Sequence, residues 1–380
     1  MKETLTNDTA TSKPFRVLSL DGGGMRGLYT ATVLDTLARH FESRHGGNTL
    51  DIGKGFDLIV GTSTGGILAA ALAHGHPLKK VMDLYRVEGP KIFTDPMPDT
   101  TQGLKMIRWL WRNKSKAANP NHHLRSILES FFKDETMGQL YQRRQIGLCI
   151  PSVKAEHQTT KVFKTPHIGR FTVDADYRLV DVCMATSAAP IFLPLVEIAH
   201  PKADGQNFVY ADGGLWANNP VLVGILEALE ITASSKRSIQ VLSVSTCPAP
   251  EGELITPGNE NFGFMQWRAG TKIVSLSLNA QAAGCEYMAR LFQERLRELG
   301  RDITVTRLRS SSLSANQMRW MRLDAASPEA LRALSQLGSH DGQEAIRLCD
   351  GGRSTICSDG QLLRDIFNDM PQQQQQPNKE

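Results

Sequence analysis

Near the start of the chain, two short apolar runs each break into a glycine-rich turn and then into an apolar stretch at helical spacing. This repeated pattern constrains the fold more than any other feature. The first unit is Val17-Leu18-Ser19-Leu20 followed by Asp21-Gly22-Gly23-Gly24-Met25-Arg26-Gly27. The second, about forty residues on, is Phe56-Asp57-Leu58-Ile59-Val60 followed by Gly61-Thr62-Ser63-Thr64-Gly65. A strand, a tight turn and a helix, used twice, is how an α/β fold places reactive atoms at the carboxyl edge of its sheet. Ser63 stands at the centre of G-x-S-x-G, and the first turn offers backbone N–H groups at a helix start. A nucleophile beside an anion cradle suits acyl transfer.

Gly61 and Gly65 lack Cβ atoms and let strand and helix close around Ser63. The helix from Gly66 to Ala73 turns its positive end toward the serine and favours an alkoxide there. The competing reading is an ordinary turn with a capping serine. Gly22, Gly24 and Gly27 also spell G-x-G-x-x-G, so a dinucleotide-binding turn competes with an oxyanion hole built from the N–H groups of Gly23 and Gly24. A dinucleotide fold expects a strand ending in an acid about twenty residues later. Here stands His40-Phe41-Glu42-Ser43-Arg44-His45-Gly46-Gly47-Asn48, a polar helix end and loop. Arg26 either steadies the turn and its oxyanion or is a surface charge.

A triad would need a histidine downstream of the serine. His157, His167, His200 and His340 sit in no glycine-rich turn and read mostly as surface residues. Asp212, in Tyr210-Ala211-Asp212-Gly213-Gly214, follows a short strand ending at Val209-Tyr210, and Gly213 and Gly214 free the backbone to aim its carboxylate. Taken alone, Asp-Gly-Gly is also a plain turn. Asn218-Asn219-Pro220 then opens a helix from Pro220 to Glu230.

These pieces, with Thr186-Ser187-Ala188-Ala189-Pro190, occur in an order that resembles the patatin-like phospholipases, lipid acyl hydrolases with a serine–aspartate dyad. Trp320-Met321-Arg322-Leu323-Asp324 before Ser327-Pro328-Glu329 is similar to the closing strand and helix of such domains, so the likeness covers roughly Lys13 to Leu337. It implies Ser63 as nucleophile and Asp212 as general base, with no histidine and no metal. It implies Gly22, Gly23, Gly24 and Arg26 as the oxyanion region. Gly61, Gly65, Pro190, Gly213 and Gly214 then shape the surrounding loops. The fold implied is α/β in three layers, with a mostly parallel central sheet and a helical elaboration. Residues 13–340 would form the domain, 1–12 a flexible N-terminus, and 341–380 an extension ending in a disordered tail that begins at Pro371.

Val17–Leu20, Asp57–Val60, Ile146–Ile150 and Arg237–Val244 read as strands, with helices between them. The opening Met1 to Pro14 is polar, and no run approaches the roughly twenty apolar residues of a membrane span. Cys149, Cys183, Cys247, Cys285, Cys349 and Cys357 show no metal spacing and read as reduced thiols of a cytosolic protein. A formal charge of +4 suits an anionic membrane surface. Action at the inner face of the membrane is therefore expected, with membrane phospholipids as partners.

Between Thr100 and Leu128 there is no acidic residue, while Lys105, Arg108, Arg112, Lys114, Lys116 and Arg125 alternate with Trp109 and Trp111. Leu104, Ile107 and Trp111 share one helical face. That face either meets a membrane interface or packs on the core with solvated cations outside. Nucleic-acid binding lacks a recognised motif or a larger basic excess. Further on, Arg290, Arg295, Arg297 and Arg301 are balanced by Glu286, Glu294, Glu298 and Asp302. Arg307 and Arg309, beside Ser310-Ser311-Ser312, are candidates to hold a phosphate. Some bacterial patatin-like phospholipases of similar size are antiphage effectors switched on by cyclic nucleotides, and this chain resembles them. The resemblance implies a cyclic dinucleotide activator and no other cofactor. A constitutive housekeeping lipase or esterase, a nucleotide sensor with a vestigial dyad, and a homo-oligomeric state all stay open on the sequence.

Overall fold

A computed structural model describes residues 13–98, 103–170, 172–203, 205–247, 258, 260–263, 267, 271–351 and 358–373. Among them, eight strands form one sheet: β1 (Phe15–Leu20), β2 (Leu58–Gly61), β3 (Gly147–Lys154), β4 (Thr159–Lys164), β5 (Val196–Ala199), β6 (Asn207–Asp212), β7 (Ile239–Val244) and β8 (Ile303–Arg307). The order is β5-β6-β3-β2-β1-β7-β8, with β4 paired to β3 off that path. Contacts between β3, β2, β1, β7 and β8 are all parallel, whereas β4 and β6 run antiparallel to β3.

Strand alternation separates two cores. Phe15, Val17, Leu58, Val60, Ile239 and Val241 face the helices Val221–Ile231 and Thr271–Glu298. Leu18, Leu20, Ile59, Leu242 and Val244 face the helices Gly27–Glu42, Thr64–His74 and Pro328–Asp350. With both faces covered, β1 is buried along its whole length, as a central parallel strand must be. The expected three-layer α/β fold with a mostly parallel sheet is the one observed.

Three expectations change. Trp320 to Asp324 forms turns rather than a closing strand, because the Leu323 carbonyl accepts the Met25 N–H and serves the glycine-rich turn instead. The boundary expected at residue 340 falls inside the unbroken helix Pro328–Asp350. Beyond it, Leu362, Leu363, Ile366 and Phe367 of the helix Ser358–Asn368 join the main core, and Arg16 reaches the Asp365 carbonyl and Asp369. The glutamine-rich tail is held at its start: Pro371 accepts the Asp51 N–H, and Gln372 pairs with Leu50. Residues 1–12 and 374–380 lie outside the described residues, as does Cys357, and the other five cysteines are buried.

Candidate active site

The register of the sheet brings the motifs together. Leu20 pairs with both Gly61 and Val244, so β1, β2 and β7 end on one edge. The chain continues from β3 past that edge, and β6 returns antiparallel beside it with Asp212 opposite Ser152. Asp212 thus comes back to the level of the turn after β2.

Ser63 sits in that turn at φ 55, ψ −124, a left-handed region costly for a residue with a side chain. Ile67 donates to the Ser63 carbonyl, so the helix Thr64–His74 starts on the serine. Gly65 is forced by space: a Cβ there would lie 2.4 Å from the carbonyl oxygens of Leu20 and Asp21. Ser63 Oγ donates to Asp212 Oδ2 at 2.6 Å. The other carboxylate oxygen accepts the Gly214 N–H at 2.6 Å. Both side chains are buried. Burial pushes the Asp212 carboxyl up to about 6, against the hydrogen bonds from Ser63 and Gly214 that lower it. An aspartate poised near neutrality is a better match to a hydroxyl proton than an ordinary one.

The three glycines of the first turn separate. The Gly22 N–H donates to the Asn218 carbonyl, and the Gly22 carbonyl accepts from Thr246 Oγ1. Gly23 and Gly24 line the cavity with Ser63, and their N–H groups have no protein acceptor among the described residues. Gly24 has φ +56, and a Cβ on it would lie 2.2 Å from the Leu323 carbonyl oxygen. Arg26 is buried, with Nε 3.3 Å from the Gly23 carbonyl. It holds the turn from behind and does not line the cavity with Ser63.

The rest of the cavity is apolar. Met25, Ile67, Leu84, Ile92, Phe93, Leu124, Phe192, Leu193, Val274 and Leu278 form its walls, with Pro190 and Gly214 beside the dyad. Gly61 and Gly213 stand outside that lining and serve the backbone, each with a carbonyl where a Cβ would be. Such a slot has the apolar lining that an acyl chain requires, with Ser63 on its wall.

Several contributors take roles that no local pattern specifies. Thr186 Oγ1 accepts the Ser63 N–H at 2.9 Å and donates to the Pro151 carbonyl at 2.6 Å, fixing the nucleophile turn to β3. Asp21 is ion-paired with Arg307 through both carboxylate oxygens, and Arg307 also meets Ser243 and Glu286. This arginine is therefore engaged within the protein, whereas Arg309 is exposed beside it in a cleft shared with Arg290 and Ser310. His167 departs from the surface expectation: its side chain is buried between Thr165 and Glu227. Cys149, His167 and Glu227 bring ligand atoms within 4.8 Å of one another. Lys164 and His167 already bond Glu227, and burial pushes the Cys149 thiol well up.

A strained serine, a buried carboxylate within hydrogen-bond reach and N–H groups free of protein acceptors thus stand together at one apolar cavity. The profile of the patatin-like phospholipases matches residues 18–225, and the chain belongs to that family. A cGAMP-activated phospholipase of Pseudomonas aeruginosa is 32% identical over 87% of this chain and 89% of its own length. One from Vibrio cholerae is 32% identical over 73% of this chain and 77% of its own. A cUMP-AMP-activated phospholipase of Escherichia coli is 28% identical over 62% of this chain and 66% of its own. Among the described residues, no helix is long and apolar enough to cross a membrane.

Proposed function

We propose that this protein hydrolyses acyl esters of membrane glycerophospholipids with Ser63 and Asp212, releasing fatty acid and lysophospholipid at the inner face of the cytoplasmic membrane. The observation that carries this reading is the 2.6 Å bond from Ser63 to a raised-pKa Asp212 on the floor of an apolar cavity. Ser63 Oγ attacks the ester carbonyl as its proton passes to Asp212. The oxyanion of the tetrahedral intermediate accepts from the N–H groups of Gly23 and Gly24. Asp212 returns the proton to the departing alcohol, leaving an acyl-Ser63. It then takes a proton from water, whose hydroxide cleaves the acyl-enzyme, and hands that proton back to Ser63. This sequence needs no metal.

The base must be ionised, so kcat/KM for a fluorogenic phospholipid is expected to fall about tenfold per unit below pH about 6 and to level off above it. An unchanged rate down to pH 4.5 removes Asp212 as the base.

Relatives named for activation by cyclic nucleotides support a regulated form of this reading. The resting protein is weakly active, and a cyclic dinucleotide shifts it to an active state. Moving such an equilibrium from 1:99 to 99:1 requires a preference of about 5.5 kcal/mol for the active form. Arg309, exposed at its cleft, is placed to meet a phosphate, and Arg307 links that cleft to Asp21 at the start of the glycine turn. Hydrolysis is measured against a panel of cyclic di- and trinucleotides, and at least a tenfold activation by one of them is expected. Full activity of the protein alone, with no nucleotide changing its rate or Tm, leaves a constitutive lipase. Failure of a fluorophosphonate to label Ser63, with or without nucleotide, leaves a sensor with a vestigial dyad.

A further inference from the structure

The helix Gly103–Arg112 is apolar on two sides, and only one of them is used by the fold. Met106 and Trp109 are buried, the indole being 2% exposed. At 100° per residue, Leu104, Ile107 and Trp111 stand on the opposite side. They are 86%, 48% and 68% exposed. Lys105, Arg108 and Arg112 form the adjoining stripe, and Lys114 lies 4.2 Å over the Trp111 ring. The core-packing expectation for Leu104, Ile107 and Trp111 is thus replaced by an outward apolar ridge flanked by cations.

This ridge is tied by hydrogen bonds to the segments that wall the cavity. Trp109 Nε1 donates to the Asp95 carbonyl at 3.2 Å, and Arg112 Nε donates to the Asp95 carboxylate at 3.1 Å. Asp95 follows the cavity-lining Ile92 and Phe93 by a few residues. On the far side, Ala118 and Asn119 donate their N–H groups to the carbonyls of Ile191 and Phe192. Pro190 and Phe192 line the cavity, and Ile191 between them is exposed, at φ 76.

We propose that Leu104, Ile107 and Trp111, with Lys105, Arg108 and Lys114, form an interfacial anchor that seats the protein on an anionic lipid surface with the cavity mouth beside the bilayer. The inference deepens the lipid-hydrolysing reading and rests on it for its purpose. The indole and the two aliphatic side chains enter the headgroup region, while the cations meet anionic headgroups. The absence of acidic residues from 100 to 128 fits a negatively charged partner. A second copy of the chain would bring the same cations against each other across the contact.

The test uses full-length protein carrying Ser63→Ala, so that binding is read without turnover. Co-sedimentation is measured on vesicles of phosphatidylglycerol and phosphatidylethanolamine and on pure phosphatidylcholine. Binding is expected to favour the anionic vesicles and to weaken with added salt. Leu104→Ser with Trp111→Ser, and separately Lys105→Glu with Arg108→Glu, are each expected to lower the vesicle partition coefficient at least tenfold. In the Ser63 background, the same four exposed substitutions are expected to leave Tm and the hydrolysis of a monomeric short-chain ester unchanged while reducing vesicle hydrolysis. Undiminished vesicle binding by both pairs overturns the anchor. Undiminished binding together with conversion of a dimer to a monomer, read by light scattering, assigns the ridge to a second copy. Vesicle binding that depends on the ridge, in a protein that hydrolyses no ester, upholds the anchor and rejects the hydrolase reading, so the two failures are distinguishable.

Discussion

Ser63→Ala and Asp212→Asn are each expected to lower kcat/KM for phospholipid hydrolysis by about 10⁴-fold or more, and the double variant to be little worse than either single one. On the proposed mechanism the 2.6 Å bond joins the two side chains in one proton-transfer step, so loss of either end would disable it. Asp212→Asn separates chemistry from folding. Its carboxyl is raised to about 6 by burial, so between about pH 4 and pH 6 the native state holds a proton that the unfolded chain has released. The stabilising contribution of that protonation is complete at low pH and is lost as pH rises through about 6. Two units correspond to about 3 kcal/mol of burial cost for the ionised form at pH 7. The neutral amide avoids that cost and still accepts from Gly214, so the inactive variant should melt no lower than the parent at pH 7. A thermal melt beside the rate assay checks this, and near-parental turnover in Asp212→Asn sinks the dyad.

The second large effect is expected at Gly24. Gly24→Val places a branched side chain at φ +56 and against the Leu323 carbonyl, so the turn cannot keep its shape. The Gly23 and Gly24 N–H groups would then leave the position of the oxyanion. Loss of one such donor costs roughly 10²- to 10³-fold in kcat, and this variant disturbs two, so at least 10²-fold is expected. Because the substitution is also strained, circular dichroism must accompany the kinetics. A folded Gly24→Val protein with parental turnover places the oxyanion hole elsewhere.

What the sequence makes legible here is local chemistry. The turns around Gly22–Gly24, Ser63 and Asp212 are marked by glycines whose spacing reports backbone requirements, and β1, β2, β3 and β7 are marked by short apolar runs. The structure places those motifs together at one sheet edge. Long-range partners leave no such mark. Thr186 reaches the Ser63 N–H across 123 residues, and nothing around Thr186 names its acceptor role. His167 looks like any loop histidine until Glu227 and Thr165 enclose it. The helix Gly103–Arg112 has apolar residues on both sides, so periodicity alone offers two ways to pack it. The Asp95 carbonyl, which accepts from Trp109, settles which side turns inward.

The pairing of Asp21 with Arg307 has a consequence in time. The two residues are 286 positions apart, and β1 takes its partner β7 from a segment that begins at Ile239. Closing loops of that length comes late in folding, because their entropy is lost before the contacts repay it. On a ribosome, Ser63 emerges long before Asp212 and longer still before Arg307 can clamp the glycine turn. The growing chain therefore carries Ser63 without Asp212 for the 149 residues that separate them, and carries Asp21 without Arg307 for longer. Topology therefore holds back the meeting of Ser63 and Asp212 until the strands that position them have been made.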